Sequence, residues 1–380
     1  MKTRLYETFA LWFDFTSKTR EQQAQFLEGV EGAMETLIVT GAAGSIGTRV
    51  CKTLAETDGV SAVIALDTRP EMPNHRRIYH HQVDLRFDDL KSIFEGSTTL
   101  VHLATSFGPS SDGLDAGGAE IDATRRVLEA AASTGIKRVV LLSSAMVYGA
   151  WSHNPIPITE ESFVEPNPDF SFASVKLEIE NLAKEWNQDH PSAEVVILRP
   201  ATALAKGQIS WVARSLRASA VIDAGDNDPP VQFLHLDDLA TAVVHVAKGE
   251  MRGVYNVAPD GYIEAEVCRE LSGRFPRLRV KEEVADRLGR FSWRHRIAPT
   301  PPGLTPYTIH PWIISNERLR GTGWIPEHTN AEAYVDGTPA KPWSNMNAKQ
   351  RQRAALVGAI IAGAILSYFV SRIIHHLRKE

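Results

Sequence analysis

The stretch TLIVTGAAGSIGTRVCKTLAET, residues 36–57, decides the fold. An apolar run rich in β-branched residues gives way to glycines, and helical periodicity follows from Ile46 onward. That order predicts a strand, a tight loop and a helix. Gly41, Gly44 and Gly47 permit the sharp turn and close backbone approach that a pyrophosphate at a helix N-terminus requires. The stretch therefore predicts a dinucleotide-binding loop.

The strand predicted next in the chain supports that interpretation. VSAVIALD ends at Asp67, 20 residues beyond Gly47, where an acidic side chain can accept hydrogen bonds from an adenosine ribose. A carboxylate there would repel a 2′-phosphate, so NAD is favoured over NADP, although Arg69 is close enough to soften the preference. Further strands are predicted to end at Asp84 and near Ala104. Strands that alternate with helices predict an α/β protein with a doubly wound parallel sheet.

The composition is that of a globular protein. The chain has 380 residues, 43% hydrophobic and 23% charged, enough for one large domain or two joined domains. A formal net charge of −5 argues against a nucleic-acid partner held by electrostatics. Cys51 and Cys268 are far apart and lack metal-ligand spacing, so we expect reduced thiols and no metal site.

An apolar segment near the C-terminus predicts a transmembrane helix. Residues 354–371, AALVGAIIAGAILSYFVS, contain no charge, and basic residues flank them on both sides. As a helix they would span about 27 Å, close to the thickness of a bilayer core, while a buried core helix is the alternative. Ala355, Ala359 and Gly363 form a face of small residues through which a homodimer could pair. We expect the protein to be membrane-anchored, with its NAD-binding domain facing the cytoplasm.

The chain divides into segments of different composition. Residues 1–33 contain an apolar helical face and would form an amphipathic extension that packs on the domain or touches lipid. They could instead extend the reading frame ahead of Met34. The predicted segments are this extension, an NAD-binding domain, a linker, a transmembrane helix and a basic tail: 1–33, 34–336 (substrate region mainly 200–336), 337–353, 354–371 and 372–380.

An ordered series of motifs extends over the predicted NAD-binding domain. These are TGAAGSIG at 40, Asp67, VDL at 83, VHLAT at 101, LLSSAMVYG at 141, Lys176, ILRP at 197 and FLHLDDLATAV at 233. The series resembles the extended short-chain dehydrogenases/reductases of the NAD-dependent epimerase/dehydratase family. The resemblance implies a Rossmann domain that binds NAD and a smaller C-terminal region that closes over the substrate. That substrate would be a nucleotide sugar or a membrane-associated alcohol.

The resemblance also implies roles for individual residues. Asp84 and Leu85 would lie beside the adenine, and Ala104 would line the cofactor groove. Ser144 would hydrogen-bond a hydroxyl or carbonyl of the substrate. Lys176 would bind the nicotinamide ribose and lower the pKa of a tyrosine four residues earlier in the chain.

The chain departs from the family at that tyrosine position, which is Phe172. A helix from about Phe170 to Glu185 would place Phe172 and Lys176 on one face, but a ring without a hydroxyl transfers no proton. We therefore expect NAD binding to be kept and the serine–tyrosine–lysine relay to be missing. The candidate substitutes for the proton donor are Tyr148, His153, Asp169, Ser171 and Ser174. The alternative hypothesis is a non-catalytic, membrane-tethered NAD(H) sensor or scaffold.

Overall fold

The computed structural model describes most of the predicted NAD-binding domain. The described residues are 35–70, 74–104, 116–206, 208–209, 222–224, 229–272, 278–297, 301, 303–337, 349 and 352–353. The predicted N-terminal extension, transmembrane helix and basic tail lie outside these ranges. Within them, no helix combines the length and the apolar character needed to cross a membrane. The division of the chain into segments stays a prediction.

Seven parallel strands form the central sheet. In spatial order they are β11 (Gly253–Val257), β6 (Glu194–Pro200), β5 (Arg138–Leu142), β4 (Thr99–His102), β1 (Glu35–Thr40), β2 (Val60–Asp67) and β3 (Ile78–Gln82). In the register, Val39 of β1 faces Ala65 of β2 and Val101 of β4. The order of the strands reverses between β1 and β4, and this reversal opens a crevice at their carboxyl ends. The predicted doubly wound sheet is confirmed.

Helices cover both faces of this sheet. One face carries α1 (Ser45–Glu56) and α5 (Leu236–Lys248), and the other carries α2 (Leu90–Phe94), α3 (Ala116–Thr134) and α4 (Ser171–Asp189). Leu37 and Val39 belong to the core on the first face and Ile38 to the core on the second, because successive strand side chains point in opposite directions. Burial on both faces explains why the strands are continuous apolar runs.

The chain beyond β6 adds smaller sheets and shorter helices. One sheet has the order β10 (Phe233–His235), β7 (Thr202–Ala205) and β8 (Gln208–Ile209), and another pairs β12 (Leu278–Val280) with β9 (Ile222–Ala224). The helices here are α6 (Ala265–Ser272), α7 (Glu282–Arg294), α8 (Pro306–Ile309), α9 (Glu317–Arg320) and α10 (Asn330–Asp336). A capping box between Thr329 and Glu332 starts α10, whose Tyr334 ring packs 5.0 Å from that of Phe233.

Candidate functional site

The glycine loop (Gly41, Gly44 and Gly47) joins β1 to α1 at the carboxyl edge of the sheet. Gly41 has a φ of +68°, and a Cβ there would lie 2.7 Å from the backbone nitrogen of Ala104, so only glycine fits. A Cβ on Gly47 would lie 2.7 Å from the Cα of Ala42 and closer still to the Gly41 carbonyl oxygen. Gly44 caps α1 without a side-chain hydrogen bond, and the first turn carries no acidic residue. The positive end of this helix therefore fits a pyrophosphate.

Asp67 ends β2 beside the glycine loop. Its carboxylate accepts the Ala43 N–H at 2.9 Å and both the backbone N–H and Nε of Arg69, at 3.0 Å and 3.1 Å. Burial alone would raise the pKa of this carboxyl, but the hydrogen bonds from Arg69 and Ala43 outweigh it and hold the pKa below its ordinary value. Asp67 is therefore an ionised acceptor, with Arg69 beside it. Its contact with the adenosine ribose stays a prediction.

The other predicted cofactor contacts follow the carboxyl ends of β3 and β4. These strands end two residues earlier than the sequence indicated, at Gln82 and His102. Arg86 donates to the Asp84 carboxylate at 3.0 Å and 2.7 Å, and these hydrogen bonds hold the pKa of Asp84 below its ordinary value. Leu85 is half-buried beside it, and Ala104 approaches the glycine loop. Their contacts with the adenine and the cofactor groove stay predictions.

Ser144 follows β5 and begins a 3-10 turn, Ala145–Tyr148. Its Oγ accepts the backbone N–H of Met146 at 3.2 Å. Tyr148, a candidate proton donor, is instead 1% exposed and donates its hydroxyl to the Asn256 side chain at 2.8 Å. Burial raises the pKa of Tyr148, so this phenol holds its proton inside the core.

A buried ion pair fixes the strand end that carries Ser144. Glu180 on α4 accepts the Ser143 hydroxyl at 2.6 Å and two N–H groups of Arg199 at 2.9 Å and 2.6 Å. Glu180 is fully buried and Arg199 is 2% exposed. Because each charge lies away from water, the pair depends on these hydrogen bonds, and they tie α4 to β5 and β6.

Phe172 and Lys176 lie on one face of α4, as their spacing predicts. The Lys176 Nζ is 5.8 Å from the centroid of the Phe172 ring. That ring is half-buried and packs at a tilt against Phe170, with centroids 5.9 Å apart. The helix begins at Ser171 and continues to Asp189, four residues past the predicted end. The position four residues before the lysine thus offers an aromatic ring and no hydroxyl.

The remaining candidate proton donors occupy solvent-exposed positions. His153, Asp169, Ser171 and Ser174 are all exposed, and Asp169 forms an ion pair with Arg290 at 2.5 Å. An exposed group exchanges its proton with bulk water. None of these four side chains therefore offers the sheltered position that a phenol at residue 172 would have.

Glu120 belongs to this site, although the sequence analysis did not single it out. Its Oε1 lies 2.7 Å from the Lys176 Nζ, and the two side chains are 6% and 5% exposed. Glu120 and Thr124 are four residues apart on the buried face of α3. An acidic residue on an otherwise buried helical face was the available sequence signal, because such a charge requires a partner.

His102 links the end of β4 to α3 next to this ion pair. Thr124 donates its hydroxyl to the Glu120 carbonyl at 2.9 Å, so it accepts from His102 Nε2 at 3.1 Å. The Nδ1 then accepts the Thr40 hydroxyl at 2.8 Å. Burial and the nearby Lys176 lower the pKa of His102 to about 4, so the ring is neutral. His102 positions these elements and carries no charge.

One group among the described residues has metal-ligand chemistry. Ligand atoms of His235, Asp237 and His328 lie within 4.8 Å of one another. His235 Nδ1 accepts the Asp237 N–H at 3.2 Å, Asp237 pairs with Arg49, and His328 Nδ1 lies 3.0 Å from the Asp238 carboxylate. These contacts fix the start of α5, and we assign no metal role to them.

Comparisons with known proteins point to one family. The model of the NAD dependent epimerase/dehydratase family matches residues 37–258. An uncharacterised protein of Mycobacterium tuberculosis is 27% identical over 252 residues, which are 64% of this chain and 67% of that protein. UDP-glucose 4-epimerase 2 of Oryza sativa subsp. japonica is 28% identical over 196 residues, 45% of each chain. The N-acetyl-α-D-glucosaminyl-diphospho-ditrans,octacis-undecaprenol 4-epimerase of Escherichia coli O157:H7 is 22% identical, over 65% of this chain and 75% of that one.

A solved structure shares the same fold. MoeE5, in complex with UDP-glucuronic acid and NAD, superposes with a TM-score of 0.61 at 22% identity, over 79% of this chain and 97% of that one. The family model covers more than half of the chain, so the protein belongs to the NAD-dependent epimerase/dehydratase family. It is an NAD-dependent enzyme of that class.

Proposed function

We propose that this protein oxidises and reduces a carbon of a nucleotide sugar with bound NAD, through a proton relay that lacks the usual phenol. The observation that carries the proposal is the Phe172 ring 5.8 Å from the Lys176 Nζ, where a hydroxyl would otherwise stand. Nucleotide-sugar chemistry is supported by the rice relative, a UDP-glucose epimerase by name, and by the similar fold that holds UDP-glucuronic acid.

Different residues of the site would bind the cofactor and orient the substrate. NAD, when bound, would supply the hydride chemistry, with a hydride taken from the substrate and returned to it. The glycine loop would hold the pyrophosphate at the start of α1, and Asp67 would accept the hydroxyls of the adenosine ribose. Lys176 would act mainly as a ligand of the nicotinamide ribose, because no phenol stands beside it to be acidified. Ser144 would hydrogen-bond the reacting oxygen of the sugar and fix its orientation.

Phe172 alters proton transfer and leaves binding in place. General acid–base catalysis typically contributes ~10²–10⁴-fold to a rate, so its loss slows a reaction without abolishing it. The half-buried ring packs against its neighbour Phe170, and it would shield a bound nicotinamide from water. We therefore propose a slow enzyme, or one whose substrate or a bound water supplies the proton.

A membrane-associated substrate is the second candidate. The Escherichia coli relative is named for an undecaprenol-linked diphosphate sugar, which is a lipid-bound form of the same chemical class. The apolar segment 354–371 would hold the catalytic domain at the bilayer surface where such a substrate resides. Both substrate candidates share a sugar diphosphate and differ in the group attached to it.

The variant Phe172→Tyr tests the proposal. The new hydroxyl should raise turnover by up to ~10²–10⁴-fold, the contribution of a placed acid–base group, because the pocket already accommodates the ring. UDP-glucose and UDP-glucuronic acid serve as probes, and the measurements are the absorbance of reduced cofactor and the appearance of the C4 epimer. Phe163→Tyr is the matched control, because Phe163 is 93% exposed and the same hydroxyl there should change nothing.

Two outcomes would contradict the proposal in different ways. Ordinary turnover by the unmodified protein, with a pH profile that Phe172→Tyr leaves unchanged, would mean that another residue already carries the proton. A variant that binds NAD as the parent does but converts neither these probes nor an undecaprenol-diphosphate sugar would favour the non-catalytic alternative.

A further inference from the structure

We propose that the carboxylate of Glu120 supplies the negative charge beside Lys176 that the Phe172 ring cannot supply. It thereby sets the preference of the site for oxidised over reduced NAD. The inference rests on the proposed function, since it requires NAD to lie beside Lys176. It concerns a residue that neither the motifs nor the family resemblance assigned.

The first observation is the ion pair itself. Glu120 Oε1 and Lys176 Nζ are 2.7 Å apart, and both side chains are at least nine-tenths buried, at 6% and 5% exposure. The two residues are 56 positions apart and lie on different helices, α3 and α4. A buried cation costs several kcal/mol of desolvation unless partners compensate it, and the carboxylate of Glu120 is one such partner of Lys176.

The second observation is the charge of two further groups near the lysine. The Phe172 ring beside it carries no charge. His102, close enough for the lysine charge to act on it, is neutral because burial and Lys176 lower its pKa to about 4. Glu120 is therefore the anion that offsets the lysine among these three neighbours.

The oxidised nicotinamide ring carries one positive charge, and the reduced ring carries none. A lysine cation without an anion would repel the oxidised form and leave the reduced form unaffected. With Glu120 in place the pair is neutral overall, and the site admits the positive ring. Glu120 is thus a positioning residue that acts through Lys176 and through the local potential.

Glu120→Gln tests the inference, because the amide keeps the shape of the side chain and removes its charge. The measurement is the dissociation constant of NAD⁺ and of NADH, each by calorimetric titration of the full chain. Two unit charges roughly 12 Å apart, at an effective dielectric constant near ~20, change each other's binding by about tenfold. We therefore expect the ratio of the NAD⁺ constant to the NADH constant to rise by about tenfold or more.

The ratio is the decisive quantity, because any loss of folded protein affects both ligands equally. Glu129→Gln, on the exposed side of the same helix, is the matched control and should leave the ratio unchanged. Lys176→Met removes the cation and should shift the ratio in the opposite direction. The double variant Glu120→Gln/Lys176→Met should return the ratio to within about threefold of the parent. If Glu120→Gln alone fails to fold, the comparison of the double variant with Lys176→Met tests the inference instead.

A Glu120→Gln ratio within about twofold of the parent would overturn the inference and leave the proposed function standing. The inference is also overturned if Lys176→Met and the double variant show the same ratio of NAD⁺ to NADH dissociation constants, since removal of the Glu120 carboxylate would then have no effect. If the unmodified protein binds neither NAD⁺ nor NADH, the proposed function fails and this inference fails with it.

Discussion

Replacing Gly47 with alanine should damage the cofactor loop although alanine is the better helix former. Gly47 is buried in the first turn of α1, where alanine would contribute about 0.5–1 kcal/mol of helix propensity. The added Cβ would lie 2.7 Å from the Cα of Ala42 and nearer still to the Gly41 carbonyl oxygen. Carbon contacts are normally about 3.5–4.0 Å, so the loop backbone must move by roughly 1 Å.

The energies decide the sign of the effect. Overpacking of this kind costs about 1–3 kcal/mol, and we take roughly 2–3 kcal/mol because the obstructing atoms belong to the backbone. After the gain in propensity, we expect a loss of about 1–2 kcal/mol in the free energy of unfolding. The displaced carbonyl of Gly41 also accepts the Gly44 N–H at 3.0 Å, so the turn that faces the pyrophosphate is altered too. NAD affinity should fall by about tenfold or more, at 1.4 kcal/mol per tenfold.

The assays are urea denaturation and calorimetric titration with NAD. Gly289→Ala is the matched control, because Gly289 lies in α7 and its Cβ would meet only the Thr305 Oγ1, at an ordinary 3.9 Å. That variant should gain about 0.5–1 kcal/mol and bind NAD as the parent does. If Gly47→Ala binds NAD within about twofold of the parent and unfolds at the same urea concentration, the steric reasoning is wrong.

Two further predictions concern the buried ion pair and the C-terminal segment. Glu180→Gln leaves the buried Arg199 cation without its anionic partner and should lower the free energy of unfolding by about 3–5 kcal/mol. The control Glu178→Gln, at an exposed position, should lower it by roughly 0.5 kcal/mol or less. Equal effects of the two variants in denaturation would contradict this prediction. Burial alone would raise the pKa of Glu180, but hydrogen bonds from Arg199 lower it. This stabilisation is therefore complete above the unfolded pKa near 4.5 and lost as the pH falls through the lower folded value, as thermal unfolding at each pH would show. A protein truncated before Arg351 should stay in solution without detergent and still bind NAD. Release of the full-length protein from membranes by carbonate would show that the predicted membrane anchor is wrong.

Local chemistry made the cofactor half of the protein predictable from its sequence. The spacing of Gly41, Gly44 and Gly47 and the carboxylate of Asp67 act within one strand–loop–helix–strand unit, so their positions follow from short-range rules. The i, i+4 spacing of Phe172 and Lys176 likewise places them on one helical face in any α-helix. The missing hydroxyl could be identified because it depends on residue type alone.

Only the tertiary structure decided which charges meet. Glu120 reaches Lys176 because α3 and α4 pack side by side on the same face of the sheet, with a rotation that turns both side chains inward. Glu180 pairs with Arg199 for the same reason, across a helix and a strand. The helical pattern around Glu120 indicates which face is buried, but it does not reveal which distant residue shares that burial. Such pairs depend on the packing of whole elements, to which many weak contacts contribute and which no short stretch of sequence encodes.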